Sequence, residues 1–131
     1  LPQGRRRTRW QRLKRSMRST GTVLGLFTAF HLADLTLGTR PAASRRHEPG
    51  AAYDNLVASL RRPPVAGLYL AAMLALAAHT SQGLVQIGND TGLSAQRGAR
   101  ERFELAGRLV GTGVALGNAS IPVAVLLRLV R

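Results

Sequence analysis

A chain of 131 residues with 19 Lys and Arg against 6 Asp and Glu, a formal net charge of +13 and no cysteine is one domain by length and can form no disulfide, thiolate cluster or thiol nucleophile. Eight of the 19 basic residues fall in the first 18 positions, directly before an apolar stretch, where the positive-inside rule places them in a membrane protein. Nucleic-acid binding is set aside, because no zinc spacing, recognition-helix pattern or aromatic-bearing sheet accompanies the charge.

Residues 1–18, LPQGRRRTRWQRLKRSMR, are too basic to enter hydrocarbon. They are expected as a cytoplasmic arm against an anionic leaflet, with Trp10 and Met17 as apolar contacts, acting either as a topology signal alone or as a docking face for an acidic soluble partner. The chain opens on Leu1 with no signal-peptide core behind it, which fits a start inside a longer protein. The remainder, 19–131, reads as an all-α transmembrane bundle of three spanning helices.

The first span is expected over Ser19–Leu37, about 28 Å as a helix. It carries His31 and Asp34 three residues apart on one face, and ionisable groups inside a span are costly enough to suggest function or an interhelical hydrogen bond. Gly21 and Gly25 form a small-xxx-small pair that would let another helix approach. The loop from Gly38 to Pro64 stays outside the bilayer. Within it, Tyr53–Leu60 is predicted as a short interfacial helix, the Arg45, Arg46, His47 run as solvated, and Pro63 and Pro64 as the start of the second span.

That second span, Val65–Gly88, holds no Asp, Glu, Lys or Arg over 24 residues, about 36 Å of helix. Its polar groups, His79, Thr80, Ser81, Gln82 and Gln86, gather in its second half. The segment Asn89–Glu104 follows as a mixed-charge return to the cytoplasmic side. The third span is expected over Leu105–Leu129, with Arg108 snorkelling at its start, two glycine pairs (Gly107 with Gly111, Gly113 with Gly117) for close packing, and a bend at Pro122 eased by Asn118 or Ser120. The arm and the second loop together hold 11 basic residues, against 5 in the outer loop and 2 at the end.

The chemistry available in these spans is two histidines and scattered hydroxyls, with no carboxylate pair and no assembled nucleophile, which argues against a hydrolase. A neutral imidazole at mid-membrane suits haem iron or proton relay. By length along each helix, His31 stands about 18 Å from the cytoplasmic start of its span and His79 about 14 Å from the cytoplasmic end of its own. A haem shared between them is therefore a possibility to test.

Several stretches together resemble the carboxy-terminal three helices of the five-helix cytochrome b membrane anchor of succinate dehydrogenases and fumarate reductases, in the form common among actinobacteria. They are Phe30-His31-Leu32 with Asp34-Leu35-Thr36 and Gly38-Thr39, the loop Tyr53-Asp54-Asn55-Leu56-Val57, His79 with Gly83, and Gly117 to Leu126. The resemblance implies a bacterial plasma-membrane anchor that docks a flavoprotein and an iron-sulfur subunit on the cytoplasmic face and passes electrons from succinate to a quinone such as menaquinone. It implies haem b held by histidines from two helices. His31 matches a ligand position for the haem iron, with its partner on a helix upstream of this chain. His79 is retained, but the family's second-span ligand position is Gln82 here, so at most one haem is expected in the assembled complex and none on this segment alone. The competing expectation is a haem-free structural scaffold whose polar residues only hold helices together.

Overall fold

The computed structural model describes residues 3–130, with side chains from residue 12 onward except those of residues 13 and 14. All regular structure among these residues is helical. Helix α1 (Gln3–His31) ends in a π-helical turn, Leu32–Thr36, α2 spans Ala52–Leu60, α3 spans Pro63–Asp90, and α4 spans Ala99–Leu126 after a short 3-10 turn at Leu93–Ala95.

Helix α1 passes through residue 18 without a break, so the basic arm and the apolar stretch are one rod of 29 residues. Arginine and lysine are good helix formers, and a change from charged to apolar composition does not stop a helix. The contact expected of Trp10 lies outside the described side chains. Two helices, α3 and α4, are long and apolar enough to cross a membrane. Helix α1 falls short of that measure because its last 18 α-helical residues still include Lys14, Arg15 and Arg18.

Helix α3 starts where the prolines place it. Arg62 is extended, as a residue before proline prefers, and Pro63 and Pro64 occupy the first two helical positions, where a missing N–H costs nothing. The chain then reverses through Gly92 and Gly98, both at positive φ, a conformation open to glycine at little cost. The interfacial helix is present as α2, but its loop is less detached than its composition suggests. Asn55 binds Glu48 through both its amide atoms (2.8 and 2.7 Å), and Asn55, Val57, Ser59 and Leu60 are buried. His47 lies against Gly38 rather than in solvent.

Helix α3 is the middle of the three long helices, with α1 on one side and α4 on the other. The α3–α4 seam is made by glycine. A Cβ on Gly107 or Gly111 would sit 2.5 Å from the carbonyl oxygen of Ser81 or Ala77 respectively, and Ser81 Oγ donates to the Gly107 carbonyl at 2.9 Å. Gly88 carries the ring of Phe103 in the same way. Gly113 and Gly117 meet nothing within 4 Å, so only the first of the two predicted pairs is used inside this chain, and Gly25 of the α1 pair is likewise open while Gly21 lies on His79. Helix α4 continues through Pro122 to Leu126, with Asn118 bonded to the Val114 carbonyl and Ser120 to that of Gly117. Those side chains therefore serve carbonyls four residues and one residue before that of Asn118, the one the proline frees.

The buried cluster gathers at one end: Val57 and Leu60 of α2, Tyr69 of α3 and Val125 of α4, with Phe27, Phe30 and Leu35 packed against it. Elsewhere α3 and α4 present large apolar side chains outward, Leu74 at 75% and Leu116 at 67% exposure among them. In the most apolar 18 residues of α3 only 11% are buried, the reverse of a soluble core helix.

Candidate functional site

Asp34 is the centre of a polar network at the end of the bundle where α2 packs. The π-helical turn carries its carboxylate into the interior, 1% exposed. Arg62 donates to Asp34 Oδ1 at 2.9 Å, while Ser59 and Tyr69 both donate to Oδ2, the latter at 3.0 Å. Arg62 is itself tied to the Ala42 carbonyl (2.7 Å) and Ser59 Oγ (2.9 Å), so one guanidinium joins the loop, α2 and the turn after α1. A buried carboxylate is tolerable only with such compensation.

The network fixes the chemistry of His31. Its Nδ1 lies 3.2 Å from Tyr69 Oη. Tyr69 gives its hydroxyl hydrogen to Asp34, an acceptor only when ion-paired to Arg62, so Oη receives the hydrogen on His31 Nδ1. Neutral imidazole then keeps its lone pair on Nε2. A ligating histidine is held in this way, with its other nitrogen donating to a fixed acceptor. The ring also rests against Phe27, centroids 5.8 Å apart, and Phe27 meets Tyr69 edge-on at 4.9 Å.

His79 also meets a hydroxyl, at the other end. Its Nδ1 is 3.0 Å from Thr20 Oγ1, a hydroxyl that also lies within hydrogen-bond reach of the Ser16 and Met17 carbonyls at 2.8 and 3.3 Å, so this contact places the ring without fixing its tautomer. One turn on, Gln82 donates to Ser16 Oγ at 2.9 Å, and its Oε1 is buried without a partner.

The two imidazoles are far apart. His31 is level with Tyr69 and His79 with Thr20, and the ten or eleven residues between these levels on either helix correspond to about 15 Å. One iron takes its axial ligands from opposite faces of one macrocycle, so a haem shared by His31 and His79 is excluded. The sequence expectation placed both at similar depth because it measured each along its own helix. In the structure, α3 is shifted so that its polar half lies beside residues 16–21 of α1.

Between α1 and α4, on the face of α3, lies a cavity of about 190 Å³ whose walls include Phe27, His31, Tyr69, Met73, Asn118 and Pro122. It is smaller than a typical drug-sized site, so a haem at His31 would need further walls from outside this chain. No group of three or more His, Cys, Asp or Glu residues is placed to hold a metal ion among the described residues.

Sequence reasoning found His31, Asp34 and His79 but missed Tyr69, Ser59 and Arg62. The available signal was the carboxylate itself. A buried carboxylate demands a compensating partner, and Arg62 stands at the start of α3, at the same end of the bundle. No family model, no curated protein and no solved structure matches the chain.

Proposed function

We propose that the chain is the membrane-anchor part of a succinate:quinone oxidoreductase, docking flavoprotein and iron-sulfur subunits and supporting electron transfer to a membrane quinone. His31 carries this reading: its Nδ1 hydrogen is tied to Tyr69 and its free Nε2 belongs to a ring lining an apolar cavity. The link to succinate comes from the resemblance of the Phe30–Thr39 and Gly117–Leu126 stretches to the cytochrome b anchors.

Arginine belts support three spans rather than two. Arg62 marks one level at the start of α3, while Arg15, Arg18 and Arg108 mark another, beside Gln82 and Ser81. The 18 residues from Pro63 to Ser81 separate these levels by about 27 Å, close to a hydrocarbon core. The apolar part of α1 lies within the same slab. The Arg15 level faces the cytoplasm, where the arm meets the soluble subunits.

Haem b at His31, if held there, supplies one-electron carriage. His31 would ligate through Nε2 together with a histidine from outside this segment, Tyr69 orients the ring, and Asp34 fixes Tyr69. Near His79 the family ligand position is Gln82, which favours the second reading, a haem-free scaffold. The reduced-minus-oxidised spectrum of the intact complex decides between them. A b-type band that vanishes in His31→Ala is expected, and absence of any band in the parent selects the scaffold. Deleting the chain is expected to move succinate dehydrogenase activity from membranes to the soluble fraction. Activity that stays membrane-bound overturns the anchor assignment.

A further inference from the structure

The loop end of the bundle holds a feature that neither haem nor docking accounts for. Arg40, Arg45, Arg46, Arg61 and Arg62 line an open cleft of about 1040 Å³, with Asp54 as the one opposing charge. Arg62 is turned inward to Asp34. Among the described residues the other four have no ion-pair partner, and Arg40, Arg45, Arg46 and Arg61 are exposed. These arginines stand on the side of the membrane that the positive-inside rule leaves poor in cations, so topology does not explain them. The cleft adjoins the first turn of α3, at the depth where hydrocarbon gives way to headgroups, and Val57 and Ala58 add apolar surface to its wall.

We propose that this cleft binds the phosphate of an anionic phospholipid in the outer leaflet. A guanidinium presents paired donors matched to phosphate oxygens, and each cation near the surface adds to the attraction. A lipid meets both parts of the cleft, phosphate against the arginines and upper acyl chain against the apolar wall. The proposal rests on the transmembrane reading and on nothing about succinate.

The test places the full chain in nanodiscs of phosphatidylcholine with increasing cardiolipin and counts retained lipid by native mass spectrometry. Triple replacement of Arg45, Arg46 and Arg61 by glutamine is expected to weaken cardiolipin retention by about tenfold or more. The same replacement of Arg12, Arg15 and Arg18, with equal loss of charge, is expected to change it by less than about twofold. Asp54→Asn is expected to tighten retention, a gain that misfolding cannot produce. Equal weakening by both triple variants, or by neither, overturns the proposal, as does full displacement of cardiolipin by millimolar inorganic phosphate, which would make the cleft a free-anion site. Alkaline carbonate extraction separates the two levels of failure. A chain stripped from membranes refutes the transmembrane reading and the lipid site with it, whereas a chain that resists extraction but shows no lipid preference refutes the lipid site alone.

Discussion

Arg62→Met is expected to lower the stability of the folded bundle by about 3 kcal/mol, read as a shift in denaturant unfolding in mild detergent. The cause is the carboxylate left behind. Asp34 is 1% exposed, and without Arg62 it retains the Ser59 and Tyr69 hydroxyls but no compensating charge. The Ala42 carbonyl also loses its donor. The figure sits at the low end of the range for broken buried pairs because the Arg62 side chain is 31% exposed, so part of its interaction is already screened. Adding Asp34→Asn to Arg62→Met is expected to recover about half the loss, since a neutral amide can be left without a cation at far lower cost. Arg61→Met, the neighbouring exposed residue, is expected to stay within about 0.5 kcal/mol of the parent. If the double variant is no more stable than Arg62→Met alone, the buried-charge account is wrong.

The second large effect concerns the α3–α4 seam. Alanine at both Gly107 and Gly111 is expected to cost about 2–4 kcal/mol, because each Cβ would need space now held by α3 backbone and the helices must separate. The intrinsic preference of alanine over glycine, about 1 kcal/mol per residue, offsets part of this. Separation would also stretch the Ser81 hydrogen bond to the Gly107 carbonyl. The matching control is Gly113→Ala with Gly117→Ala, where nothing lies within 4 Å and the isolated chain should be unchanged or more stable by up to about 1–2 kcal/mol. Equal losses from the two pairs would mean that close approach is not what these glycines provide.

The helices themselves were legible in the sequence. Pro63 and Pro64 announce the start of α3, the absence of charge over Val65–Gly88 announces its length, and the Tyr53–Leu60 piece between proline-rich flanks is α2 within one residue. The register between helices was not legible. Nothing in a one-dimensional pattern says that Ser16 meets Gln82 or that Thr20 meets His79, because those pairings follow from how deeply the His79 ring settles over Gly21. For the same reason the partners of Asp34 were hidden. They arrive from a loop that looked solvent-bound and from Tyr69, whose ring reads as apolar and whose hydroxyl does the work. The glycine pairs show the limit of motif reading: the same spacing occurs twice on α4, and only one copy closes a seam within the chain.

The unbroken α1 has a mechanical consequence. Its first 16 residues, Gln3 to Arg18, extend about 24 Å along the same axis as the apolar half. A helix without a joint transmits rotation along its whole length, so a tilt of about 10° in the apolar half would swing the far tip by about 4 Å. Angular motion of the bundle thereby becomes lateral displacement at the basic tip, and under the proposed anchor role a soluble subunit resting there would press back on the level of His79, where α1 and α3 touch.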